Sequence, residues 1–265
     1  MNSNNTEQIG HYVCALVDIL GQKSELNKLD SIVNLQTQHR EVLCIFKNTY
    51  GRVKQFRELL SNSSKYFNTI AKPCSDSPQI KIGFFSDLII SYLSLSKNGK
   101  DVDICRLRHM LISLSEVFLN MLANRIALRG GVDIGVAIES QEGQLYGSAL
   151  SKAYCLESEV AQSIRIVVGQ ELVDLLNEAS EDTNDEISDH AKFSLSLIKK
   201  DYDGVYILDY LAKFFRQASS FDDRASRAKS FLEDEANRLR KSCDYKIASK
   251  YEKALIYFSD SGVKN

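Results

Sequence analysis

The chain has 265 residues, with 33 Lys and Arg against 35 Asp and Glu, a formal net charge of −2, and a 44% hydrophobic share. A charge so near zero excludes the basic field that sequence-independent binding to nucleic acid or an anionic membrane draws on. The length suits one large mixed body, alone or with an appended segment.

The first ten residues, "MNSNNTEQIG", are polar and lack the apolar run of a signal peptide. The longest apolar runs elsewhere fall well short of a membrane span. The expectation is a cytoplasmic chain without stable membrane insertion. Cysteines at 14, 44, 74, 105, 155 and 243 form no CxxC or other short metal-type spacing. They read as reduced thiols.

In chain order, "HYVCALVDIL" has the β-branched, apolar character of a central strand, and it ends on Asp18 with no opposite charge nearby in sequence. From about 35 to 70 the apolar residues Leu43, Phe46, Tyr50, Val53, Phe56 and Leu60 recur at threes and fours, which predicts a helix. Pro73 and Pro78 mark a break. "QIKIGFFSDLIISYLSL" predicts two strands joined by a tight turn at Ser86-Asp87. An amphipathic helix follows, with Ile104, Leu107, Leu111, Leu114, Phe118 and Leu122 on one face. "ALRGGVDIGVAIES" is a strand whose glycines signal close approach of other backbone. "GSALSKAYCLESEVAQ" is a helix entered through Gly147, and "IRIVVGQEL" a short strand leading into another helix. The acidic "EASEDTNDEISDH" reads as a solvated loop, and Asp203-Gly204 as the turn of a closing hairpin. Beyond Ala212 the chain is charged and helical.

The order β, α, ββ, α, β, α, β, hairpin and tail predicts an α+β fold on the ferredoxin-like βαββαβ plan. The expected division is a body over 1–211 and a helical extension over 212–265. In such a plan the end of the first strand lies beside the turn of the next hairpin, so Asp18 and Asp87 meet. Adjacent carboxylates repel unless a cation or proton lies between them. Hard divalent ions take oxygen ligands, and Mg²⁺ is commonly held by one or two carboxylates plus substrate phosphates. Each acid also has a plain structural explanation: Asp commonly caps turns and helix starts.

"LVDILG", "IGFFSDLIIS", "LRGGVDIG" and "LYGSALSKAYCLESEVAQSIRIVV" together resemble the class III nucleotide cyclases, over roughly residues 11 to 210. Within them the chain is most similar to the bacterial pyrimidine cyclases of Pycsar anti-phage defence, the tail "KYEKALIYF" included. The resemblance implies two divalent ions, Mn²⁺ or Mg²⁺, held by Asp18, Asp87 and the Ile19 carbonyl. It also implies a two-fold homodimer that cyclises a nucleoside triphosphate, UTP first and CTP second, with the product read by a separate effector protein. The backbone from Gly21 to Lys23 would face the phosphates.

The departures are specific. The Lys that adenylate cyclases place four residues before the second metal Asp is Gly83 here, and their adenine-reading Asp is Gln144. Their transition-state Asn and Arg fall on Ser151 and Cys155. Lys152 is the nearest replacement cation, with Lys200 a second candidate that reads more simply as surface. Tyr50 has two readings, a ring for a pyrimidine base or a core residue sharing a face with Phe46 and Val53. Arg52 and Arg57 are candidate phosphate contacts, though helical charges commonly just meet solvent. The rival classes are a non-catalytic nucleotide-sensing dimer and a diguanylate-cyclase or polymerase-palm relative. The turn "FFSD" has no GGDEF character.

Overall fold

Alternation along the first strand organises the molecule. The computed structural model describes residues 7–70, 79–85, 87–97 and 101–262. In β1 (Gln8–Ile19), Val13, Ala15, Val17 and Ile19 point into a large helix-covered core, while Tyr12, Cys14 and Leu16 point into a smaller one on the opposite face. A period of two puts Asp18 on the second face.

The chain continues through α1 (Gln22–Leu26), α2 (His39–Asn48), α3 (Tyr50–Ile70), β2 (Lys81–Phe85) and β3 (Leu88–Ser94). A two-residue pair, β4 (Ser96–Lys97) and β5 (Asp101–Val102), precedes α4 (Ile104–Ala123) and β6 (Leu128–Glu139). Next come β7 (Leu145–Gly147), α5 (Ser148–Cys155) with a π turn over Leu156–Val160, β8 (Ile166–Val168) and α6 (Gln170–Ser180). The rest is α7 (Asp185–Leu195), β9 (Ile198–Lys200), β10 (Tyr206–Leu208), α8 (Phe221–Lys241) and α9 (Tyr245–Asp260).

The sheet runs β2-β3-β1-β6-β8-β10-β9, with β7 also paired to β6. The first strand is central, flanked antiparallel by β3 and β6. This is the βαββαβ order, with β6 as its fourth strand, and it makes the fold α+β as expected. Helices α3 and α4 cover one face. Asp103 caps α4 by accepting from the backbone N–H of Cys105 at 2.9 Å.

Three local expectations are corrected. The helix over 35–70 is two helices, broken at Thr49, whose hydroxyl donates to the Ile45 carbonyl at 2.8 Å. The acidic stretch read as a loop contains α7, because the Asn184 side chain caps its first turn and Asp185 and Glu186 favour the positive end of the helix. Cys14, Cys44, Cys155 and Cys243 are free thiols as expected, whereas Cys105 is disulfide-bonded. Cysteine usage therefore no longer argues for a reducing compartment. The proline-bearing break at 73–78 and Ser86 lie outside the described residues.

Helices α8 and α9 join the main core. Phe221, Phe231, Leu232, Tyr251, Tyr257 and Phe258 are buried in the same apolar cluster as the sheet and α4. The buried Arg224 is held by Glu116 of α4 at 2.5 Å. Among the described residues no helix is long and apolar enough to cross a membrane.

Candidate active site

Strand register brings the two acids together. Asp18 is paired with Leu88 on β3, so Asp87 follows directly beside it, and the two carboxylates act on each other electrostatically. Register also sets Asp18 opposite Arg129 on β6, whose Nε donates to Asp18 Oδ2 at 3.1 Å. Sequence distance hid this partner, and the expectation of an unneutralised acid is corrected.

Arg129 is shared. Its Nε also lies 2.8 Å from Glu157 Oε1, on the π turn after α5, but the N–H is directed at Asp18 and Glu157 Oε1 has no hydrogen bond. Glu157 is almost wholly buried. Burial pushes its carboxyl above the ordinary value, Arg129 opposes this, and Asp18 and Asp87 add to the rise. Asp18 is raised in the same way, by burial first, against Arg129 and with Asp87. Two acids on one guanidinium, with Asp87 acting on both, make a rim whose fully charged form is costly until further positive charge arrives.

The close fit of α5 to β6 depends on Gly131. A Cβ there would lie 2.4 Å from Leu156 Cβ and 2.6 Å from the Ala153 carbonyl oxygen. No side chain fits, and the π turn bearing Glu157 can therefore approach Arg129.

The donor set fits a hard divalent ion. Among the described residues, Asp18 Oδ1 and the Asp87 carboxylate accept no hydrogen bond, and Ile19, whose carbonyl would complete the set, directly follows Asp18. No three His, Cys, Asp or Glu side chains converge among the described residues, so an ion here would complete its shell from phosphate and water. Gly21 ends the strand with φ of 86°, a left-handed conformation suited to glycine, and starts the five-residue α1.

The other candidates lie at varied distances from this rim. Ser151 lines an apolar cleft of about 550 Å³ with Leu16, Leu88, Ile90, Tyr146 and Tyr154, on the face that Asp18 shares. Lys152 is bound to Glu171 of α6 and donates to the Ile134 carbonyl at 3.3 Å, several residues along the sheet from Asp18. Tyr50 is 57% exposed, which corrects its reading as core, and its ring lies 6.3 Å from that of Phe84. Arg52 is half-buried on α3, and Lys200 stands over the Tyr206 ring. Gln144 is exposed in the turn between β6 and β7, at the sheet end remote from Asp18. Arg57 lines a cleft at that same remote end. Within one chain, Asp18, Asp87, Ile19 and Gly21 come together, Ser151 lies near them, and Lys152 and Gln144 stand apart. Sequence reasoning missed Arg129 and Glu157, although Arg129 heads the singled-out "RGGVDIG".

No known family's sequence pattern matches the chain, and no curated protein matches it. Among solved structures it is similar to a class III adenylyl cyclase-like ATP-binding protein from Pseudomonas aeruginosa, with a TM-score of 0.41 and 16% identity over 71% of this chain. The chain spans 41% of that protein's length. A functional reading therefore rests on the residues of this chain.

Proposed function

We propose that this chain is a nucleotide cyclase that converts a nucleoside triphosphate to its 3′,5′-cyclic monophosphate and pyrophosphate. UTP is the favoured substrate and CTP the second, on the sequence resemblance, with the product acting as a defence signal read by a separate effector. The observation that carries the reading is the pair Asp18, near the end of β1, and Asp87, in the turn just before its strand partner Leu88, with carboxylate oxygens to spare.

In the reaction the ribose 3′-oxygen forms a bond to the α-phosphorus. The bond from that phosphorus to the bridging oxygen breaks, pyrophosphate leaves, and the hydroxyl proton passes to solvent. Bound divalent ions would supply charge that activates the 3′-oxygen and offsets charge on the leaving group. Asp18, Asp87 and the Ile19 carbonyl would hold them. Arg129 orients Asp18 through Oδ2 and leaves Oδ1 free for coordination. The apolar cleft beside the rim, with Tyr146 at 79% and Tyr154 at 53% exposure, offers a face for a second copy in a two-fold dimer.

A second reading has one observation behind it. Ser151 and Cys155 stand where the resemblance expects Asn and Arg, and Lys152 is already engaged by Glu171. That favours a dimer that binds nucleotide without turning it over. Incubation with Mn²⁺ and each of the four triphosphates separates these readings. Cyclic UMP or cyclic CMP is expected; cyclic AMP as the main product would reject the pyrimidine assignment, and no product under excess metal would leave the non-catalytic reading.

A further inference from the structure

Arg129 has two acids within reach and one bond to give. Its Nε–H donates to Asp18 Oδ2 at 3.1 Å, while Glu157 Oε1 lies 2.8 Å from the same nitrogen and accepts nothing. Among the described residues its two terminal nitrogens make no hydrogen bond, so the guanidinium is held through Nε alone. Glu157 cannot simply withdraw. Gly131 lets the π turn lie against β6, with Ala153, Leu156 and the Glu157 backbone closing on the glycine, and the Glu157 side chain is almost wholly buried there. A buried carboxylate oxygen without a donor is a standing cost, which the Arg129 N–H would relieve.

We propose that Arg129 is a positioning residue that yields Asp18 to an incoming divalent cation and turns its Nε–H to Glu157. This rests on the reading of Asp18 as a ligand to that cation.

The physical case is one of competition for a single donor. Of the two acids Asp18 is the more open to solvent, and its Oδ1 accepts no hydrogen bond among the described residues, so a cation meets it first. A carboxylate neutralised by one cation attracts a second less, which weakens the hold of Asp18 on the guanidinium. Glu157 then offers the stronger acceptor, at a nitrogen–oxygen distance already within hydrogen-bond range. The exchange asks only for a tilt of the guanidinium. It frees Oδ2 for the cation and satisfies the Glu157 oxygen in the same movement. Glu157 would thereby strengthen metal binding at the rim without touching the ion.

The test follows the Arg129 Nε–H resonance of the full ¹⁵N-labelled chain by NMR as Mg²⁺ is added, with Arg129→Lys identifying the signal. Mn²⁺ affinity is measured alongside by electron paramagnetic resonance. In the wild-type chain the resonance should move with Mg²⁺ occupancy. In Glu157→Gln, whose neutral amide is a weaker acceptor for the same N–H, most of that movement should be lost and Mn²⁺ affinity should fall about tenfold. In an Arg129→Gln background the same substitution should change Mn²⁺ affinity by about twofold at most, because no donor is left to exchange. An equal fall in both backgrounds would overturn the proposal in favour of plain charge at the rim. Should Arg129→Gln fail to fold, the resonance in the wild-type and Glu157→Gln chains decides by itself. Ion uptake with an unmoved wild-type resonance would overturn this inference alone, whereas a wild-type chain that takes up neither ion would remove the metal reading and this inference with it.

Discussion

The acids beside the two ends of the central strand have opposite fates. At one end Glu139 is bound by Lys81 and accepts from the Tyr92 hydroxyl at 3.2 Å. Tyr92 is pushed up by burial and then by Glu139, and its hydroxyl also bonds the Gly143 carbonyl at 2.6 Å. At the other end Asp18 and Glu157 share one guanidinium, and Asp87 has no hydrogen-bond partner among the described residues. Burial alone does not mark a functional acid. Glu139 has a lysine and a tyrosine to itself, whereas at the other end two acids share one cation and leave negative charge unbalanced.

The strongest way to break that comparison is Asp18→Ala. Product formation should fall at least about a thousandfold with the circular dichroism spectrum unchanged, because the lost group would position catalytic charge. Retained turnover would put the chemistry elsewhere. Glu139→Ala should show the reverse pattern. Chemical denaturation should report a loss of about 1 kcal/mol, since Lys81 is more than half exposed and can be solvated once its partner is removed. Turnover per folded molecule should stay within about twofold.

A pH comparison of the two ends must first be cleared of His109, buried in α4. Burial, then the neighbouring Arg108, holds its imidazole down to about 4. Because the unfolded chain protonates near 6.5 and the folded one near 4, this residue's contribution to stability is present above about pH 6.5 and is lost as pH falls toward 4. The loss is on the order of 2–3 kcal/mol, and denaturation midpoints of His109→Gln should lack that portion of the acid slope.

Gly131→Ala gives the finest distinction. The added methyl must displace Leu156 and the backbone at Glu157, costing about 1–2 kcal/mol. It should lower turnover more than stability, since it moves Glu157 from Arg129. A substitution that leaves turnover per folded molecule intact would show that the Glu157–Arg129 approach is dispensable.

Much of the fold was legible because it rests on periodicity and on turn residues. The alternation in "HYVCALVDIL", the apolar face of α4 and the Asp203-Gly204 hairpin each depend on neighbours a few residues away. Where local cues conflicted the reading failed. The acidic run before α7 looks solvated by composition, and its capping Asn184 outweighs that. Tyr50 shares a helical spacing with Val53, yet only Val53 is buried, since the break at Thr49 turns the preceding helix away.

By itself the sequence determined the strand order, the position of an acid at the end of the first strand and a second at the next hairpin, and the shortage of cations on α5. Only the tertiary structure decided what surrounds those acids. Arg129 meets Asp18 across 111 residues of chain, and Glu157 reaches the same guanidinium from the turn after α5. Such encounters depend on strand register and helix packing, which are set by the sum of many distant contacts and leave no short-range pattern to read.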